Sequence, residues 1–328
     1  MNKRQFLGIY SQHIKDFIAL KRGLGYKYET EEVLLSVFDR FTVQRGEQTL
    51  GVTRELASAW CNKNENESSS YRKHRMICLS QLSSYLCQIG IRSYIPRIPV
   101  LKTSFTPHIF SKAEIAALFQ AADQLRAKRK SMKTIIFSIP AILRFLYATG
   151  VRISEVLALQ NKDINLDDKY FILRDSKNGR ERMIPISQSL AQVCRDYVTN
   201  RDKLFNFQQR NQYFFTSCNG LPIKRDAVYR KFRLILRAAG ISHLGENRGP
   251  RLHDLRHTFS VHSLAMMAEN GMDLYCSLPI LSTYLGHQSF QSTNSYVRLT
   301  AEIYPELLKD VDAICLNVFP NIENYESN

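Results

Sequence analysis

Residues 91–111, IRSYIPRIPVLKTSFTPHIFS, carry three prolines and no helical period, between two stretches that are both patterned for burial. A chain of 328 residues with such a break reads as two domains. Upstream, Phe6, Tyr10, Ile14 and Phe17 share one helical face, and Leu34, Val37, Phe38 and Phe41 repeat the i, i+3, i+4, i+7 pattern. Thr53 reads as the N-cap of a short helix through Leu56 and Trp60. A longer helix runs through Cys78, Leu82, Tyr85 and Ile89 and stops at Gly90. Its start, YRKHR (71–75), is either a solvated basic face or a row of phosphate contacts.

Downstream the pattern is mixed. Ser111 followed by Glu114 is a capping-box signature at the head of SKAEIAALFQAA. IPAILRFLYATG is an apolar helix ending at Gly150. YFILR (170–174) and ERMIPIS (181–187) are β-rich, and DSKNGR between them places Asn178-Gly179 in a hairpin turn. Helical periodicity then continues to the end. Leu307, Leu308, Val311, Ile314, Cys315 and Val318 form a last apolar stripe. The expected fold is mainly α with a small antiparallel sheet, an α+β architecture. Its expected parts are a helical domain over 1–103, a linker over 104–111, a second domain over 112–300 and a C-terminal helix or tail over 301–328.

The chain carries 45 Lys and Arg against 30 Asp and Glu, a formal charge of +15. The first 103 residues hold 16 basic and 9 acidic side chains, so both halves are basic. Such a field favours polyanions, either nucleic acid or an anionic membrane surface. No run approaches the roughly 20 apolar residues of a membrane span. The basic start, MNKRQFLGIYSQHIKDF, is broken by polar residues at helical spacing, unlike a signal peptide. Seven scattered cysteines without a CxxC pair suggest reduced thiols in the cytoplasm, and no disulfide or zinc site.

The candidate chemistry is spread along the second half. In ATGVRISE, Arg152 follows a helix-ending glycine, and by itself reads as an i, i+3 partner of Glu155. In RGPRLHDLRHTFSVHSL, His253 and Arg256 lie three apart in a first helical turn, where free N–H groups and the dipole already favour an anion. His257 and His262 are spares whose spacing does not suit a metal. Lys177 sits in the hairpin turn. His287 follows Leu285-Gly286, and Tyr296 comes nine residues later among small polar residues. Taken together, two arginines can grip the non-bridging oxygens of a phosphodiester by planar forks. Two histidines can add hydrogen bonds as charge builds in the transition state. A lysine can protonate a leaving oxygen, and a tyrosine can attack phosphorus covalently. That is phosphoryl transfer with no metal and no cofactor, arginines standing in for Mg²⁺.

In order and spacing, Arg152, Lys177, His253, Arg256, His287 and Tyr296 resemble the complete catalytic set of the tyrosine recombinases, the phage integrase family. The resemblance covers about residues 110–300, and extends loosely to the N-terminal half as that family's core-binding domain. ENGMDLYCSLPILSTYLGH is longer than the compact family pattern. The resemblance implies a site-specific recombinase or integrase of a mobile element. Tyr296 would attack the scissile phosphate to give a 3′-phosphotyrosine, with Lys177 as acid for the 5′-oxygen. Arg152, Arg256 and His287 would stabilise the phosphorane, and His253 would help take the tyrosine proton. The implied partners are double-stranded DNA with short inverted repeats and further copies of the chain, a tetramer in the synaptic complex, joined through 301–328. No membrane partner is implied, and the expected location is cytoplasmic, on the nucleoid. The resemblance also implies a mobile tyrosine segment, so Tyr296 is expected outside any apolar core. Two alternatives share the site: a type IB topoisomerase, and a catalytically silent DNA-binding relative.

Overall fold

The apolar stripes and caps of the N-terminal third become four helices: α1 (Ser11–Gly23), α2 (Glu29–Gln44), α3 (Arg54–Cys61) and α4 (Ser69–Gln88). The computed structural model describes residues 5–99, 106–126, 133–174, 181–204, 212–243, 245, 249–287 and 290–304. Thr53 caps α3, its hydroxyl accepting from the Leu56 N–H at 3.1 Å. Chain reversal after α4 is made by Gly90, at φ +87°. The core of this unit holds Tyr10, Ile14, Phe17, Leu35, Phe38, Trp60, Leu82 and Leu86. Asp39, fully buried, accepts from the N–H groups of Leu7 and Gly8 and fixes the chain where it enters α1.

Part of YRKHR is taken up inside the fold. Arg75 is buried and pairs with Glu67 at 2.8 Å, donates to the carbonyls of Trp60 and Asn62, and lies 4.7 Å over the Trp60 ring. Arg72 donates to the Cys61 carbonyl at 2.8 Å, and His74 lies 3.1 Å from Glu31. Arg72 and Arg75 therefore tie α4 to the C-terminal end of α3, where unpaired carbonyls and the dipole attract cations, and His74 faces α2.

The chain divides into two compact units, Met1–Phe105 and Thr106–Asn328. The second contains α5 (Lys112–Asp123), α6 (Ile139–Thr149), α7 (Ile153–Ala158), α8 (Gln188–Asp202), α9 (Arg225–Ala238), α10 (Asp254–Glu269), α11 (Leu274–Leu285) and α12 (Phe290–Ile303). Between α7 and α8 lie three strands, β1 (Ile164–Asn165), β2 (Tyr170–Leu173) and β3 (Arg182–Pro185), antiparallel in the order β1-β2-β3. Their register pairs Leu173 with Arg182 and Phe171 with Ile184. The fold is thus mainly helical with a small antiparallel sheet.

Ser111 and Glu114 form the expected capping box on α5. Phe145, Phe171 and Phe215 meet at the centre, the buried face of the sheet lying against α6. α10 packs against α6, α11 and α12. No helix among the described residues is long and apolar enough to cross a membrane. The described cysteines are all free thiols, and burial pushes those of Cys78 and Cys194 up to about 12. The turn carrying Lys177 and the expected C-terminal element from residue 305 onward lie outside the described residues.

Arg75 and Glu67 expose 6% and 3% of their side chains, so removing one strands the other in a dry site. Arg75→Ala is expected to destabilise the first unit by about 3–5 kcal/mol, read as a lower urea midpoint for its unfolding.

Candidate active site

Two helix ends build the site. α6 closes on Gly150 at φ +60°, whose N–H donates to the Leu146 carbonyl at 2.9 Å. This is the single-bond left-handed cap, and a side chain at Gly150 would run into the Phe259 ring. α11 closes on Gly286 at φ +66° in a Schellman motif, with Gly286 N–H to Thr283 O and His287 N–H to Ser282 O, both 3.1 Å. Leu-Gly-His is therefore a helix stop that sets His287 at a fixed point just past the last turn.

Between these ends lies Arg256, in the first turn of α10 and 3% exposed. Its Nη1 donates to the Gly150 carbonyl at 2.8 Å, and its Nη2 to the Leu285 carbonyl at 3.0 Å. One buried cation thus answers the negative ends of two helices. Nη2 also donates to Nε2 of His287 at 2.9 Å. Burial, and then the charge of Arg152, lower the Arg256 guanidinium to about 10.

Arg152 occupies the N-cap position of α7 and pairs with Glu155 at 2.9 Å, so the simple i, i+3 pair is real. That carboxylate is shared. Arg182 of β3 reaches Glu155 at 3.1 Å, and its guanidinium lies where a side chain on Gly286 would go. Arg182 was not singled out from the sequence. The signal was there, since Arg182 follows the hairpin turn at an inward register position, but strand arginines are ordinarily solvated. Burial and then Arg152 hold its guanidinium below its usual range, although Glu155 opposes this.

Tyr296 on α12 is 3% exposed and packs among Val261, Leu264, Leu278, Leu281 and Leu285. The expectation that it lies outside an apolar core is therefore corrected. Its polar neighbours Asn294 and Ser295 form the solvent face of an amphipathic helix, while Thr293, Tyr296 and Thr300 share the buried face. The Tyr296 hydroxyl is 3.0 Å from Nδ1 of His257, and its ring lies nearly parallel to that of His287, centroids 6.1 Å apart. Sequence reasoning set His257 aside as a spare. It lies one helical turn from His253, whose ring meets it edge to face at 4.9 Å.

The structure thus brings together Arg152, His253, Arg256, His287 and Tyr296, and adds His257, Arg182, Glu155 and Thr293. Burial, followed by the charge of Arg256, lowers His253 and His287 to about 4, and burial, followed by the neighbouring His253 and then Arg256, lowers His257 to about 3. Burial also raises the Tyr296 hydroxyl, against the pull of Arg256. The resting site is a cluster of guanidiniums with neutral histidines and a neutral phenol, short of negative charge.

The phage integrase family model matches residues 108–302. The chain belongs to this family of tyrosine recombinases. A candidate integrase/recombinase of Sinorhizobium fredii, y4rB, is 28% identical over 309 residues, covering 93% of this chain and 98% of that one. The tyrosine recombinase XerC of Chlamydia caviae is 26% identical over 239 residues, 73% and 70% of the two chains. Among solved structures, a lambda integrase tetramer bound to a Holliday junction aligns with a TM-score of 0.61 at 16% identity, over 87% of this chain and 76% of that one.

The depressed histidines carry a stability cost in acid. The unfolded chain, with histidines near 6.5, takes up protons before the folded one. Stability is therefore complete above that pH and is lost as pH falls toward about 4. The melting temperature of the DNA-free protein is expected to drop across that window, and His257→Asn to flatten the drop.

Proposed function

We propose that this tyrosine recombinase cleaves and rejoins DNA at specific sites, with Tyr296 as nucleophile, in the service of a mobile element. The observation that carries the assignment is the setting of the Tyr296 hydroxyl. It sits against His257, beside the His287 ring, which is itself held by Arg256. A phenol beside a cluster of cations supports this reading, because a phosphodiester carries the charge such a cluster attracts and a phenol can attack its phosphorus.

In the proposed reaction the Tyr296 oxygen bonds to phosphorus and the bond to the 5′-oxygen breaks, giving a 3′-phosphotyrosine and a free 5′-hydroxyl. Arg152, Arg256 and His287 hydrogen-bond the phosphorane oxygens. The tyrosine proton leaves through the histidine pair, His257 in contact with the hydroxyl and His253 packed against it. Lys177 gives its proton to the departing 5′-oxygen. The 5′-hydroxyl of a partner strand then reverses the step, and the phosphotyrosine conserves the diester's energy, so no nucleotide is consumed. The substrate is double-stranded DNA with short inverted repeats, bound in the cytoplasm on the nucleoid. Four copies join in the synaptic complex, as in the lambda integrase tetramer. We further assign residues 1–103 to DNA binding as a core-binding domain, 104–111 to a linker, 112–300 to catalysis and 301–328 to contact between copies.

Tyr296→Phe should bind DNA as the parent does and give no covalent adduct with a nicked suicide duplex, EDTA being present throughout. Adduct from that variant would move the nucleophile elsewhere.

Arg152 tests the role of the fork better than Arg256, because Arg256 also holds two helix ends together. Arg152→Lys keeps the charge and loses bidentate geometry. Single-turnover cleavage should fall by about 10²-fold or more with little change in Kd.

A further inference from the structure

We propose that Thr293 is a positioning residue that fixes, through its hydroxyl, which nitrogen of His287 faces the phosphate. The inference rests on the reading of His287 as a donor to the phosphorane. Arg256 is a donor that has no alternative role. A guanidinium only donates, so the 2.9 Å contact from Arg256 Nη2 makes His287 Nε2 an acceptor. A neutral imidazole then carries its proton on Nδ1. Nδ1 lies 2.8 Å from Oγ1 of Thr293, so the threonine hydroxyl accepts that N–H.

Thr293 is fully buried, and no water reaches its hydroxyl to take over. Without it the Nδ1–H would face a dry wall, and the ring would turn or move its proton to regain a partner. With it, the ring plane is pinned at both nitrogens. When a phosphate oxygen draws the Arg256 N–H to itself, Nε2 is left pointing at that oxygen. A solvent proton bound at Nε2 then makes the ring a donor toward the phosphate, while Nδ1–H stays with Thr293. This is the arrangement by which partners behind a ligating or catalytic histidine set its tautomer elsewhere. Thr293 also shares the buried face of α12 with Tyr296, three residues on. The helix that carries the nucleophile therefore also aligns the donor.

The test uses the full chain and a nicked suicide duplex. Thr293→Val keeps the shape and deletes the hydroxyl, and should slow single-turnover cleavage about tenfold with Kd unchanged. Thr293→Ser should restore most of the rate, and in a His287→Ala background Thr293→Val should add nothing. Nitrogen NMR of the DNA-free parent should find the His287 proton on Nδ1. Cleavage at the parent rate by Thr293→Val, or a proton on Nε2, overturns the proposal. The NMR measurement decides the matter alone if the valine variant does not fold. Full-rate cleavage by His287→Ala would instead overturn the role of His287, and this inference with it. A silent Thr293→Val beside a crippled His287→Ala would sink only the inference.

Discussion

A single buried guanidinium holds the second unit in register. The C-terminal ends of α6 and α11 both leave carbonyls without helical partners, and both meet Arg256 of α10. A cation removed from water is tolerated only where it is well hydrogen-bonded, and here two helix ends supply the acceptors. Three helices are thereby fixed around one side chain. His287 follows the Schellman turn of α11, so its imidazole is delivered to the same guanidinium by the geometry that stops the helix. Placement of the imidazole and termination of the helix are in this sense one arrangement.

Much of this was legible in the sequence because it follows from local chemistry. Ser111 with Glu114, Thr53, and the glycines at 90 and 150 act through their own few neighbours, and each stops or starts a helix as its type requires. The two β-rich runs around Asn178-Gly179 are strands for the same reason. Arg152, His253, Arg256, His287 and Tyr296 were marked by spacing, and they converge in space.

What escaped the sequence depends on contacts between distant segments. The polar surroundings of Tyr296 suggested exposure, but polarity along a helix says nothing of which face is buried until the neighbours α10 and α11 are in place. His257 looked redundant beside His253, and only the approach of α12 sets it against the tyrosine hydroxyl. Arg182 needed both the sheet register and Glu155, 27 residues away, to become part of the site. Arg75 sat in a basic run whose other members suggested a surface, and the buried Glu67 and Trp60 took it inward.

Glu155 is the one carboxylate hydrogen-bonded within the cluster of Arg152, Arg182 and Arg256 among the described residues. Positive charge therefore outweighs negative charge within this cluster. An anion bound there adds to the stability of the folded state by mass action, growing with the logarithm of its concentration over its dissociation constant. The apoprotein is then the weaker form of the molecule. A phosphodiester backbone offers such an anion at every step whatever its sequence, so stabilisation of this kind follows the phosphate and carries no sequence preference.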